Sequence, residues 1–358
     1  MYINSLSDLE LKLQHLQKDE KTKSLMLFAC DTNQLDINKL KAILEKNKKP
    51  LLGGIFPEII AEGKRTKKGF CLVGLKDEIE VLAMDSSEQN VLKLKQDISE
   101  IKSVFCFVNA LWDNKNQFIN SLYDEFGPFV EYLGGGAGSL SFKSIPCIFA
   151  NQQIIENGAV VGFMKKQMKI ELAHGWEPVS DIIKVTKTNG NEIVSLNWKP
   201  AFKVYQEFLQ QQMQLSITPD NFFDIAKSHP FGLVRLNDEM IIRDPFGTDG
   251  HKINMVDEVP EGEYIKIMHG DLNSLLGGAK KVIDCMELNL DDVDTRLCVD
   301  CISRVLFMEE KFDKELTLLN KGLTCNGVLS IGEITKPKES NLALFNKTIV
   351  VGQWKNND

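Results

Sequence analysis

Apolar residues in this chain gather into short strand-length runs set apart by stretches of helical period, and the order of the two kinds repeats. Residues 24–29, SLMLFA, form a continuous apolar run, and a helical stretch follows around Asp36–Lys46. Next come Leu51-Leu52-Gly53-Gly54, read as a glycine turn, and a second strand over Gly69–Gly74. The same order returns as a strand at Ser103–Ala110, a helical stretch near Asn116–Glu125, a turn at Tyr132–Gly136 and a strand at Gly158–Phe163. A third copy has Leu297–Cys301, a helical stretch near Glu309–Asn320, Cys325-Asn326-Gly327 and Thr348–Gly352. Counted from Met26 to Gly53, Val104 to Gly134 and Leu297 to Gly327, the copies span 27, 30 and 30 residues. A strand, a return helix and a parallel second strand need about that length.

Between the second and third copies the pattern turns antiparallel. Lys169–Gly175 and Ile265–Gly270 are both strands ending in His-Gly. Ile182–Lys187 and Glu192–Val194 flank Asn189-Gly190-Asn191, a hairpin signal. Pro200 suits a first helical position, and Ala201, Val204, Tyr205, Phe208 and Leu209 mark one face of the helix that follows. Thr218-Pro219 opens a shorter helix that ends before Pro230. The helical pair sets a boundary between domains over 1–199 and 200–358. The expected fold is α/β, with layered mixed β-sheets covered by helices and built from strand–helix–Gly-turn–strand units. No Pro/Gly/Ser-rich connector parts the halves, so the two domains should pack closely.

Composition changes this picture only by exclusion. The 358 residues carry a formal net charge of −8, which disfavours nucleic acid or an anionic membrane as partner. The longest basic run, residues 64–68, reads as a solvated loop. No run approaches the ~20 apolar residues that span a bilayer, and the charged N-terminus lacks a signal-peptide core. Eight cysteines, scattered mostly in apolar runs, suit a reduced cytoplasmic protein.

The stretch from His174 to Leu209 resembles the junction of FIST proteins, where a His-Gly-x-x-Pro turn precedes a "vTk…gn.i.eL…pA…Y" pattern. Cys301-Ile302-Ser303-Arg304 is similar to that family's Cys-x-x-Arg, though Ser303 stands where glycine is usual. Gly332-Glu333-Ile334 and Phe345-Asn346-Lys347-Thr348 resemble its Gly-Glu-Ile and closing Asn-x-Thr. The likeness covers about 20–353, in the order FIST-N then FIST-C. It implies a cytoplasmic small-ligand sensor in signal transduction, with an amino acid or related metabolite as ligand. The signal would pass to a separate histidine kinase, cyclic-dinucleotide enzyme or chemotaxis component. One branch of the family implies the alternative of a haem-binding nitric oxide sensor. No certain cofactor follows.

The candidate ligand-binding residues are Arg304, Glu333, Cys301, Asn346, Thr348, His174 and Gly175. Arg304 and Glu333 would suit the two ends of a zwitterion, or they pair with each other or with solvent. His174 is the candidate axial ligand if haem is bound, with His269 as runner-up; the plain alternative is a turn histidine bonding local backbone. Asn346 and Thr348 line the same pocket or complete a turn. Arg235 and Arg243, in a strand pair around Asn237-Asp238-Glu239, are further guanidinium candidates, with a solvated face as the favoured reading. Cys298 and Cys301 lie three apart on a strand, on opposite faces, so they are read as core and no metal is assigned. Gly134–Ser139 lacks a P-loop ending and reads as a tight turn against a pocket. No HExxH or Gly-x-Ser-x-Gly motif assembles a catalytic set. Two other readings stay open: an enzyme using Cys301 with His174 or His269 as base, and a purely structural adaptor.

Overall fold

The computed structural model describes residues 1–33, 35–85, 97–235, 240–286, 293, 295–338 and 340–355. Three units share one plan. In the first, Ser24–Cys30 is followed by the helix Ile37–Leu44 and by Leu51–Phe56, parallel to the opening strand. Phe70–Leu75 then lies antiparallel along the opening strand's other edge. The second unit repeats this with Ser103–Asn109, the helix Lys115–Phe126, Glu131–Ala137 and Gly158–Met164. The third uses Thr295–Cys301, the helices Ile302–Met308 and Asp313–Leu319, Asn326–Ser330 and Ile349–Trp354. Each opening strand is seven buried or nearly buried residues, as a strand covered on both faces must be.

The glycines read as turns lie inside strands. Gly53, Gly134 and Gly327 pair with Leu27, Cys106 and Cys298. A Cβ on them would stand 1.9, 1.7 and 1.8 Å from the carbonyl oxygen of that partner. Glycine is required because neighbouring backbone occupies the side chain's place. Glycine runs signal a turn and a close backbone approach alike, so sequence alone assigns the wrong cause. Gly134–Ala137 is likewise strand, not a turn at a pocket, and Ser139 just beyond it donates to Asp31 Oδ2 at 2.6 Å.

The units are not side by side but exchanged. After its second strand, each unit sends a hairpin into a neighbour's sheet. Glu58–Ala61 with Lys64–Thr66 joins the third sheet against Asn326–Ser330. Ile148–Ala150 with Gln153–Ile155 joins the first sheet against Leu51–Phe56. Glu333–Thr335 with Ala343–Phe345 joins the second sheet against Glu131–Ala137. The loan is cyclic: first to third, third to second, second to first. Between the first two sheets the apolar faces meet around Phe28, Phe56 and Phe107, edge to face with ring centroids 5.5–5.8 Å apart.

A fourth, antiparallel sheet is inserted between units two and three. It contains the expected hairpin Ile183–Asn189/Glu192–Leu196, and the strands Phe231–Val234, Met240–Arg243 and Tyr264–His269. The helix Ala201–Gln212 packs on it through Tyr205 and Leu209. The line drawn at residue 199 runs through this sheet, since Glu192–Leu196 pairs along one edge with both Lys199–Pro200 and Ile253–Met255. Pro200 caps the helix rather than opening it. The turn Asn237-Asp238-Glu239 lies outside the described residues. Arg243 is not on a solvated face: it is buried, donating to the carbonyls of Glu258 and Leu344 and lying 3.8 Å from Asp257. Arg235 pairs with Glu263 at 2.7 Å.

Candidate functional site

Asp300 is the one charged residue of Leu297–Cys301, at the C-terminal end of a fully buried strand. The next turn of chain brings Arg304 beneath it, and the helix Asp313–Leu319 supplies Glu315; all three are inaccessible to solvent. Arg304 donates to both Glu315 oxygens, from Nε at 3.1 Å and from Nη2 at 2.5 Å. Its remaining donors go to the carbonyls of His174 at 2.6 Å, Leu275 at 3.3 Å and Lys347 at 3.4 Å. Burial opposes the guanidinium charge, but Glu315 and Asp300 outweigh it and hold its pKa above the ordinary value. Asp300 Oδ1 stands 3.3 Å from Arg304 Nε without the alignment of a hydrogen bond, and both its oxygens lack a hydrogen-bond partner. Burial, then the neighbouring Glu315, pushes the Asp300 carboxyl well up, against the opposing pull of Arg304.

Glu333 stands beside this group. It accepts from Ser330 Oγ at 2.9 Å and from the Thr348 amide at 3.2 Å, and burial pushes its carboxyl well up. Lys347, also buried, pairs with Asp244 at 3.1 Å and sits 5.1 Å from the centroid of Trp176. Its φ of +52° is costly for a side-chain-bearing residue, and it turns the Lys347 carbonyl onto Trp176 Nε1 at 3.1 Å. The shortest ion pairs of this interior are Arg304–Glu315 and Lys347–Asp244.

This interior backs directly onto a cleft of about 1140 Å³. One wall is the segment 170–178, which contains His174 and Trp176 and is gripped from behind by Arg304 and the Lys347 carbonyl. The opposite walls are the helix Leu272–Met286, through Ser274, Gly277, Gly278 and Lys281, and residues Glu131, Lys336, Lys338 and Phe345. Gly175 has φ +83° and faces Ser274, whose oxygen a Cβ would approach to 2.5 Å. Gly270 faces the Trp176 ring, which its Cβ would meet at 2.3 Å. Glu177 pairs with His269, so the two His-Gly segments lie together around Trp176.

His174 Nδ1 accepts the Trp176 amide at 2.9 Å. A backbone N–H can only donate, so the proton of the neutral ring sits on Nε2. An axial haem ligand needs the opposite, a bare Nε2 with Nδ1–H donating to a neighbour. His269 keeps its Nδ1 3.2 Å from His229 Nε2. His229 Nδ1 lies 2.9 Å from the Ile225 carbonyl and must carry a proton, so His269 is the donor of the pair. Its ring packs on His229 with centroids 4.9 Å apart, and it is not among the residues lining the cleft. Of the two histidines proposed for haem, His174 therefore does not fit an axial role in this arrangement, whereas His269 has the tautomer such a ligand needs but stands outside the cleft.

Burial, with Arg304 and Lys281 adding to it, pushes His174 down to about 4. The folded state therefore resists its protonation, while the unfolded chain takes up a proton near the usual ~6.5. The stability that neutral His174 contributes is complete above that value and is lost as pH falls toward 4. Between pH 6.5 and 4 the wild type is expected to lose more stability than His174→Gln, which keeps an acceptor for the Trp176 amide. Urea unfolding across the pH series measures the difference, and equal losses would contradict it.

Arg304 and Glu333, taken in sequence as the two ends of a zwitterion site, are brought near each other but spent internally. Arg304 has its donors committed to its own chain, so it forms the foundation of the cleft wall and does not grip a ligand. Asn346 is buried, with its Oδ1 3.4 Å from the Asp244 amide, and Thr348 Oγ1 donates to the Asn346 carbonyl at 2.9 Å. Cys301 is buried, and burial followed by Glu333 pushes its thiol well above the usual value, the reverse of an activated nucleophile. Only His174 and Gly175 of the expected set line the cleft. The sequence reading does not single out Asp300, Glu315, Lys347, Trp176 or the helix Leu272–Met286. Asp300 had a signal, a charge set among the apolar residues of Leu297–Cys301. The helix had another in Leu275, Ala279, Val282, Ile283 and Met286, its buried face.

Comparison with known proteins agrees with this assembly. Residues 24–199 match the FIST N domain and residues 201–336 the FIST C domain. The chain is also similar to an uncharacterized protein of Methanocaldococcus jannaschii, 22% identical over 233 residues. That match takes in 62% of this chain and 43% of the relative, so the chain spans less than half the relative's length. FIST domains are associated with sensing in signal transduction, and this chain, matched by both of them over most of its length, belongs to the FIST family.

Proposed function

We propose that the protein is a cytoplasmic ligand sensor of signal transduction, binding an amino acid or related metabolite in the cleft beside His174 and Trp176. It has no catalytic role in this reading, and a separate histidine kinase, cyclic-dinucleotide enzyme or chemotaxis component takes the signal. The observation that carries it is the double use of the segment 174–176. One side of it lines the cleft, and the other is held by Arg304 and the Lys347 carbonyl. A ligand that presses on this segment acts on a buried charged network, whose pairs tolerate displacement poorly. The cleft offers Lys266, Lys281 and Lys336 to a carboxylate, Glu131 and Glu177 to an amine, and Met240, Met268 and Phe345 as apolar floor. Among the described residues no helix is long and apolar enough to cross a membrane.

A thermal-shift screen of the twenty amino acids and their keto- and amide derivatives tests the reading. A ligand at 100 times its Kd stabilises by about 2.7 kcal/mol, a rise of several degrees, and Lys281→Glu should abolish the rise produced by an anionic ligand. No shift with any compound at millimolar concentration would overturn it.

A further inference from the structure

The third sheet ends at the cleft in an unfinished edge. Its last strand, Lys169–Ala173, is five residues long and among the described residues pairs only with Ile349–Trp354. Among the described residues the backbone groups on its other edge have no strand partner and no other hydrogen bond. Proteins ordinarily blunt such edges with exposed charge, shortness or a covering loop. Here every residue of the strand is half-buried, four of them line the cleft, and Lys169 bends away to the Cys285 carbonyl on the helix behind.

The space alongside is bordered on two flanks. One flank is the smooth part of the helix Leu272–Met286. Gly278 there is closely packed, since a Cβ would stand 3.3 Å from the Gly175 nitrogen. Gly277 is not: a Cβ on it would meet nothing within 4 Å, yet glycine in mid-helix costs about 1 kcal/mol relative to alanine. Its effect is to leave the cleft open at that level. The other flank is the second sheet, with Glu131 and Phe345. An edge of this length runs about 17 Å at ~3.3 Å per residue, with the next strand ~4.8 Å away. The cleft's 1140 Å³ also exceeds the roughly 300–1,000 Å³ of small-molecule sites.

We propose that the cleft takes an extended peptide, which adds as a further strand to the edge of Lys169–Ala173. This rests on the reading of the cleft as the ligand site and names the ligand's class. The peptide's main chain pairs with the unsatisfied edge, the mode by which extended segments join sheets. Its middle is apolar and β-branched, to meet Leu172, Met268 and Phe345, and its ends are acidic. Lys266, Lys281 and Lys336 border the cleft and make no ion pair among the described residues.

The test uses the full chain and the labelled heptapeptide EVTVTVE, followed by fluorescence anisotropy. Two further peptides carry N-methyl groups at either the second, fourth and sixth residues or the third and fifth. In a bound strand alternate amides point to the edge and away from it. Saturable binding is expected, weakened at least about tenfold by one methylation pattern and left within about twofold by the other. Gly277→Leu, which fills open space in the cleft, should abolish binding while leaving the melting temperature unchanged or higher. Equal tolerance of both patterns, or no saturable binding to millimolar peptide, overturns strand addition. If an amino acid then still raises the melting temperature, small-ligand sensing stands without it. If neither peptide nor amino acid acts, the cleft itself fails as the site.

Discussion

Arg304→Ala is expected to destabilise the protein by about 3–5 kcal/mol, the usual result of removing one partner from a buried pair. The change strips both oxygens of Glu315 of their guanidinium donors, and leaves the carbonyls of His174 and Leu275 without theirs. It also leaves Glu315 in an interior with no exposure, where an unpaired charge is costly. The informative comparison is the double variant Arg304→Ala, Glu315→Ala. Removing both charges relieves the unpaired carboxylate, so the double variant should be more stable than Arg304→Ala alone. Urea midpoints of the wild type and three variants measure this cycle. A double variant less stable than either single one would mean that the pair is not the dominant interaction of these side chains.

Alanine at Gly134 should have an effect of similar size for a different reason. Its Cβ would lie 1.7 Å from the Cys106 carbonyl oxygen and 2.6 Å from its carbon, both backbone atoms in a paired parallel strand. Side chains can rotate out of a clash; a strand held on both edges cannot. The expected cost is about 3 kcal/mol or more, at the upper end for overpacking. Gly53→Ala and Gly327→Ala meet the same obstacle and should behave alike. By contrast Gly127, whose Cβ would meet nothing within 4 Å, has only its φ of +71° to lose. With ψ at −166° that backbone is one only glycine adopts readily, so Gly127→Ala is expected to cost about 1–3 kcal/mol through strain alone, less than Gly134→Ala. Equal loss at Gly127 and Gly134 would remove the steric explanation.

The triplicated plan was legible because seven-residue apolar strands leave a strong mark in sequence, and their spacing to the next glycine is nearly constant. The exchange of hairpins was not. Glu333–Thr335 and Ala343–Phe345 are three residues each, too short for any period to declare their partners. The same limit hid the site. Arg304 and Glu333 could be recognised as interesting, but what a charged side chain does depends on its partner. Glu315 lies eleven positions beyond Arg304 on a different helix, with nothing in sequence to join them. His174 was legible as a turn residue and misleading as a ligand, because a single amide two residues on decides which ring nitrogen carries the proton.

The cyclic loan of hairpins also sets an order of assembly during synthesis. The first sheet draws all its strands from residues 2–155, so it can close while the rest of the chain is still being made. The second must wait for Glu333–Phe345, and the third for Ile349–Trp354, although its outer hairpin over 58–66 has long since emerged. Until those strands emerge from the ribosome the N-terminal half therefore carries a paired but undocked hairpin and an open second sheet. Both are closed only once residues 333–354 have been added, so until then the nascent half exposes strand edges that the finished fold covers.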